Sequence, residues 1–416
     1  MAIIRPFRAI RPVPEKAEKV AALPYDVMNS EEARQMVKGN PYSFIHVDKA
    51  EVDLDSSIDI YDKRVYQKAK QNMDNMIKEG IMLQDEKPLF YIYCLTMNGK
   101  SQTGLVVCTS IDEYLNNTIK KHELTRADKE ADRICHVDTL NANTGPIFLA
   151  YHKNDAVKAI LCSVMKKEKA VYNFISEDGI GHKVWLISDE RDILKLIELF
   201  EKIPNLYIAD GHHRNASAVK VGLKRRENKT DYTGEEEFNY YLSVLFSDDE
   251  LYIMDYNRVV KDLNGLTEQQ FLEKVSEKFE IEVYDGKDCC KPEKCHQFGM
   301  YLNHKWYLIT AKKEIIRKDI VAALDVSILQ NEILEPILAI GDPRTDKRID
   351  FIGGIRGLEA LQQKVDSKDM KIAFSMYPTS MQELMNVADE NRTMPPKSTW
   401  FEPKLRSGLF IHDLEK

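Results

Sequence analysis

The run Leu206-Tyr-Ile-Ala-Asp-Gly-His-His-Arg214 gathers two imidazoles, a guanidinium and a carboxylate around one glycine. Residues 206–209 are apolar enough to end a buried strand, Asp210-Gly211 reads as a tight turn, and residues 215–226 read as a helix. A strand, a turn and a helix start in that order aim unpaired backbone N–H groups, at the positive end of the helix dipole, at whatever lies above the turn. Gly211 leaves room for close approach. Arg214 offers a planar fork suited to phosphate, and His212 and His213 offer donors whose protonation an anion would favour. The plain alternative is a connecting turn with surface histidines. Asp210 is the discordant residue, because a carboxylate repels a phosphate unless a cation or a second substrate lies between them.

Other candidate chemistry is spread along the chain. His122-Glu123 sits where the chain leaves a strand-like segment, within the charged run 119–133, where the lysines and Asp128 read as a solvated helix face. Glu123 could equally answer a helix dipole. Residues 351–358, with three glycines and Arg356, read either as a second phosphate loop or as a strand-to-helix turn. The stretch 394–408 lacks apolar periodicity yet carries Lys397, Ser398, Thr399, Lys404 and Arg406. It either packs between domains or lends cations to the site. Cys289, Cys290, Cys295 and His296 are the one cluster suggesting zinc, but their spacing is not the usual two-pair pattern, so no metal is assigned there.

These groups must be positioned by a chain of 416 residues, long enough for two domains. Its 43% hydrophobic and 30% charged residues are those of a soluble globular protein. A net charge of −8 argues against a nucleic-acid partner. No apolar run reaches membrane-spanning length, and Met-Ala-Ile-Ile-Arg lacks a secretory core, so a cytoplasmic protein is expected. Seven irregularly spaced cysteines do not form a disulfide framework.

The expected elements are a strand over 3–11, a capped helix over 30–37 begun by Asn29 and Glu32, and a helix over 60–79. A hairpin follows, from 88–93 to 103–109 around Asn98-Gly99. Strands at 146–151, 170–174 and 183–187 and a helix at 190–202 lead to the turn. Beyond a polar stretch at 227–237, strands over 240–246 and 251–260, a helix over 268–279, a strand at 281–284 and a hairpin over 297–309 predict a second α+β domain. The boundary is placed between a first domain, 1–234, and a second, 235–416, whose tail could complete the site.

Across nearly its whole length the chain resembles the family called domain of unknown function ten-fifteen. The resemblance is carried by Arg5-Pro-Phe-Arg8, Pro24-Tyr-Asp26, His122-Glu123, Tyr207-Ile-Ala-Asp-Gly-His-His-Arg214, Tyr256-Asn-Arg258, Asp350-Phe-Ile-Gly-Gly-Ile-Arg356 and Met394-Pro-Pro-Lys-Ser-Thr399. Within the first domain, His122-Glu123, Pro146-Ile147 and Asp210 to Arg214 also resemble the signature of free serine kinases built on the ParB and sulfiredoxin fold. That resemblance implies an α+β, ParB/sulfiredoxin-like first domain with inserted elements. It implies Glu123 and Asp210 in catalytic roles, with Gly211, His212, His213 and Arg214 around the phosphates of ATP or ADP.

The 87 positions from Glu123 to Asp210 exceed those of compact relatives, so an inserted subdomain must loop out for the two to meet. Arg133 or the tail lysines are candidates for an amino acid's carboxylate, and His122, Thr125, Lys397, Ser398, Thr399 and Lys404 for further substrate contacts. Mg²⁺ is expected with the nucleotide, Asp210 being a possible contact. The expected activity is transfer of a phosphoryl group to free L-serine or a similar small metabolite, in a possible homo-oligomer. Sulfiredoxin-type chemistry lacks its agent, since position 212 holds histidine rather than a nucleophilic cysteine. The alternative is a non-catalytic, ParB-like regulatory protein that binds nucleotide or, through the basic run 220–229, DNA.

Overall fold

Residues 1–229 and 231–415 are described by a computed structural model. They form two compact units, Met1–Leu251 together with Pro403–Lys416, and Tyr252–Glu402. Each mixes helices with its own sheet, and the class is α+β.

The first unit is built on a nine-stranded sheet. Its strands lie in the order Ile119–Lys120, Leu206–Asp210, Ile147–Tyr151, Tyr240–Ser247, Lys100–Ser110, Phe90–Met97, Gly181–Ile187 and Tyr172–Ile175, with Ile4–Arg5 paired to the end of Lys100–Ser110. The expected hairpin forms the middle of this sheet. Met97 faces Lys100, and Asn98 and Gly99 take φ of 50° and 76°, the left-handed pair of the two-residue turn that matches strand twist. Residues 90–95 are buried, so this strand reads as continuous apolar sequence rather than as alternation. Two pairings are parallel: Ile119–Lys120 with Leu206–Tyr207, and Ile147–Tyr151 with Ser243–Ser247.

Two expected strands are each split. The stretch 3–11 becomes Ile4–Arg5 and Ile10–Pro12 in different sheets, because Pro6 between them has no N–H to give a ladder. The stretch 251–260 becomes Ile253–Met254, paired with Trp400–Phe401, and Tyr256–Val260 in the second unit's main sheet. The long helix starts at Lys63, three residues after its expected start, where the Asp62 side chain accepts from the Arg64 N–H. The capped helix runs Ser30–Met36 with both halves of its capping box made.

The boundary expected between residues 234 and 235 falls inside the first unit. The strand Tyr240–Ser247 bonds to both Lys100–Ser110 and Ile147–Tyr151, so the chain cannot leave the first core until that strand is complete. The last residues belong to the first unit as well: Ile411 bridges Ile10, Ser407 bridges Ala22, and His412–Asp413 pairs with Ala142–Asn143.

The second unit carries an antiparallel six-stranded sheet, Phe279–Val283, Lys305–Ala311, Gln297–Leu302, Ile372–Met376, Tyr256–Val260 and Ile349–Gly353. Leu361 and Val365 of the helix Glu359–Asp366 pack with Val259, Tyr301 and Trp306. The glycine run after Phe351 is a strand-to-helix turn filled by its own chain. A side chain at Gly353 would meet the Trp400 indole at 2.8 Å, and one at Gly354 would meet the Asp255 carboxylate at 2.4 Å. Among the described residues no helix is long and apolar enough to cross a membrane.

The helix His212–Asn228 is held close to its neighbours through Gly222, where an added Cβ would lie 2.5 Å from the Phe238 carbonyl oxygen and 2.8 Å from Ile111 Cδ1. Alanine would gain about 1 kcal/mol of helix propensity. Overpacking against a backbone carbonyl costs about 1–3 kcal/mol. Gly222→Ala is therefore expected to lower the urea midpoint, and an unchanged or raised midpoint would show that this packing has slack.

Candidate functional site

The turn is shaped by a break in strand pairing. Against Ile147–Tyr151 the register of Leu206–Asp210 shifts between Ile208 and Asp210, and Gly211 follows with φ of +92°, a conformation costly for any residue with a Cβ. The helix starts at His212, three residues before the expected position, and the Asn215 N–H bonds the Gly211 carbonyl at 2.9 Å. His212, His213 and Arg214 thus form its first turn, where backbone N–H groups lack helical partners.

Asp210 is answered by the chain's own cation. Its Oδ1 accepts the Gly211 N–H at 2.8 Å, and its Oδ2 lies 3.0 Å from Lys404 Nζ. Burial pushes this carboxyl up, but Lys404 and Arg214 outweigh it and hold the pKa well below the usual carboxylate range. Lys404, carried by the returning tail, is thus a counter-ion of Asp210.

Arg214 is what comes closest to Gly211. A Cβ on Gly211 would sit 3.3 Å from Arg214 Nε and 3.4 Å from Cζ, so the missing side chain makes room for the guanidinium. Arg214 Nη1 donates to the Pro146 carbonyl at 2.7 Å, while its buried Nε has no hydrogen-bond partner among the described residues. Burial works against its charge, but Asp26, Asp210, Tyr25 and Asp48 raise its pKa and keep it protonated.

Beside it lies a cavity of about 20 Å³ lined by Tyr25, Asp48, Arg133, His136, Thr144 and Arg214, space for one water rather than for an amino acid. Arg133 is engaged there, 2.8 Å from Asp132 and with its guanidinium 4.0 Å from the Tyr25 ring centre. Tyr25 and Asp26 are site residues that residue type alone passes over, and their signal is the short Pro24-Tyr-Asp26 run.

Glu123 meets the turn. The parallel pairing of Ile119–Lys120 with Leu206–Tyr207 carries residues 121–123 alongside 208–212, and Glu123 Oε2 lies 3.8 Å from His212 Nδ1. No inserted subdomain loops out between them: Ile147–Tyr151, Tyr172–Ile175 and Gly181–Ile187 are strands of the same sheet, and the first of them pairs directly with Leu206–Asp210. His122 and His212 are buried, their rings edge to face at 4.5 Å. Burial lowers the His122 pKa to about 4 and pushes that of His212 well below its ordinary value, so both are neutral. Among the described residues His122 has no hydrogen bond of good geometry at either nitrogen, and His212 has none at Nε2. His213 Nε2 accepts the Arg126 N–H at 3.0 Å, which makes it neutral as well. Without a bound anion, none of the three imidazoles carries charge.

One ligand atom each from His122, Glu123 and His212 fall within 4.8 Å of one another. Two imidazole nitrogens and a carboxylate oxygen suit a divalent ion that accepts nitrogen, such as zinc, manganese or iron. Mg²⁺ prefers oxygen, which here means the carboxylates of Glu123 and Asp210.

The remaining candidates lie elsewhere or bond to other groups. Thr125 Oγ1 donates to Glu130 at 2.8 Å. Lys397, Ser398 and Thr399 belong to the second unit, where the Lys397 carbonyl accepts from Arg258 at 3.0 Å, Ser398 Oγ donates to the Pro395 carbonyl at 2.6 Å, and the Ser398 carbonyl accepts from Thr379. His296 pairs with Asp325 at 3.0 Å, Cys289 donates to Gln362, Cys290 is buried and Cys295 is exposed. The basic run is neutralised internally: Lys220 pairs with Glu130, Lys224 and Arg225 with Asp138, Arg226 with Asp112, and Lys229 with Glu236. Such a face presents little free charge to DNA.

Two stability measurements probe this site. Lys404→Met removes one of the two cations that hold Asp210 ionised; since Asp210 is 28% exposed and Arg214 remains, a loss of about 1 kcal/mol is expected. Adding Asp210→Asn should recover most of that loss, and additive losses would show that the two do not interact. For His122 the folded pKa lies below the unfolded value of about 6.5, so between there and about pH 4 the unfolded chain binds the extra proton. Stability should fall as pH drops through that window, by up to about 1.4 kcal/mol per unit for this imidazole. His122→Gln should flatten the profile, and an unchanged slope would place the titrating group elsewhere.

No curated protein matches the chain. Similar solved structures include a free serine kinase in complex with AMP, 14% identical over 74% of this chain and 91% of that one, with a TM-score of 0.36. SbnI with C-terminal truncation from Staphylococcus aureus is 9% identical over 73% and 85%, with a TM-score of 0.37. A conserved hypothetical protein from Pyrococcus furiosus is 15% identical over 74% and 94%, with a TM-score of 0.35. Likenesses this distant decide no activity. The sequence profile of the family described as protein of unknown function (DUF1015) matches residues 4–327, and the chain belongs to that family.

Proposed function

We propose that the first unit is a phosphotransferase. It would move a phosphoryl group from ATP or ADP to the hydroxyl of free L-serine or a similar small metabolite in the cytoplasm, giving O-phosphoserine. The observation that supports this most is Glu123 lying 3.8 Å from His212 in the first turn of the helix that follows Asp210-Gly211. A carboxylate base thereby stands next to a helix N-terminus, with Lys404 and Arg214 at the same turn.

Phosphoryl transfer asks for alignment and charge neutralisation more than for covalent help from the protein. In this proposal the N–H groups of the first turn and the Arg214 guanidinium hold the phosphates. The acceptor hydroxyl oxygen forms a bond to the transferred phosphorus as the bond to the bridging oxygen breaks. AMP leaves from ADP, or ADP from ATP. Glu123 takes the hydroxyl proton late in the transfer.

Asp210 holds Lys404 at the turn, and that ammonium is the cation between carboxylate and phosphate. Magnesium, when bound, would neutralise charge on the phosphates, with the carboxylate of Asp210 as its oxygen donor. The neutral imidazoles of His122 and His212 keep the floor of the site uncharged, so added positive charge would come from an imidazole only once an anion is bound.

The experiment is to incubate the protein with Mg²⁺, ATP or ADP and a panel of amino acids and look for a phosphorylated product. O-phosphoserine is expected with serine. Product from another alcohol alone would keep the reaction and replace the acceptor, whereas nucleotide binding without turnover on any acceptor would leave a regulatory protein. Glu123→Gln should cut kcat by about 10²-fold or more with nucleotide affinity kept, and full activity would remove Glu123 from the mechanism.

A further inference from the structure

The second unit has a feature that phosphoryl transfer in the first does not use. Arg258, on the strand Tyr256–Val260, is 4% exposed, and among the described residues no carboxylate lies within ion-pair distance of it. Its guanidinium bonds two backbone carbonyls, those of Tyr256 and Lys397, and lies 5.5 Å from the Phe351 ring centre. Two carbonyls fix the plane of the fork and occupy two of its five N–H donors without cancelling its charge. A buried, uncompensated charge is destabilising unless a counter-ion arrives. Burial lowers the pKa of Arg258 to about 10, which leaves it charged at neutral pH.

Arg258 lines a cleft of about 320 Å³, of the size that takes a small metabolite. Phe351, Pro395 and Pro396 give it apolar walls, and Gln330, whose amide N–H₂ bonds the carbonyls of Ile340 and Gly341, gives it a fixed polar edge. The backbone around the cleft is unusual at two places. Gln330–Leu334 is a π-helical turn, and Lys397, which supplies a carbonyl to Arg258, has φ of +61°. Both are costly arrangements of the kind that cluster at binding sites. Three stretches singled out in the sequence, at 256–258, 350–356 and 394–399, meet at this arginine. Of the other charged groups lining the cleft, Arg344 is paired with Asp342 at 2.8 Å, and Glu335 could answer a donor on the ligand.

We propose that this cleft is a second ligand site, in which the fork of Arg258 binds the carboxylate or phosphate of a small organic anion whose apolar part lies against Phe351 and the two prolines. The site rests on the second unit alone and is independent of the proposed phosphoryl transfer.

The test is calorimetric titration of the full chain with inorganic phosphate and, separately, with succinate, at an ionic strength held constant with chloride. Saturable binding of one and not the other identifies the source of the anion. Arg258→Lys keeps a charge but loses the fork and is expected to weaken binding by about tenfold or more. Arg258→Met should abolish it. If the methionine variant does not fold, as judged by circular dichroism, the lysine variant decides. Absence of saturable binding of either anion to the native protein would overturn the proposal, as would undiminished binding by Arg258→Lys.

Discussion

Two residues of parallel strand pairing, Ile119–Lys120 beside Leu206–Tyr207, hold the candidate site together. A parallel pair needs a long crossover, and here it includes the helix Ala127–Leu140, further strands and the helices that cover one face of the sheet. The pairing turns a separation of 87 positions into a contact of 3.8 Å between Glu123 and the helix start. The short strand is secured from the buried side by Ile119 and Leu206, each fully excluded from solvent in the same core.

Around that contact the charges are balanced by the chain itself. Asp210 answers Lys404, Asp132 answers Arg133, and Asp26 and Asp48 stand among the groups that keep Arg214 charged. A site preorganised in this way pays little to reorganise when charge moves, which is what transfer of a phosphoryl group rewards. The second unit does the opposite. Arg258 is buried with no carboxylate within ion-pair distance among the described residues, and this contrast with Arg214 is what the proposed anion site rests on.

Local elements were legible where local chemistry decides them. The hairpin around Asn98-Gly99, the capping box of Asn29 and Glu32 and the hairpin at Asn303-His304 form because φ > 0 turns and side-chain caps depend on a few adjacent residues. The helix start at His212 was misplaced because a glycine in the left-handed region can cap a helix without the usual Ser, Thr, Asp or Asn signal. The role of Gly211 was half legible. The absence of a Cβ does permit close approach, but what approaches is Arg214.

By itself the amino-acid sequence determined the α+β class, the order of strand, turn and helix after residue 206, and which residue types stand ready for chemistry, since period, turn residues and side-chain functional groups are local properties. Tertiary structure alone decided that Lys404 answers Asp210 from 194 positions away, that Tyr240–Ser247 stays with the first core, and that His122 and His212 are neutral. Ion pairing, sheet order and burial depend on which distant segments meet, and no run of neighbouring residues records that.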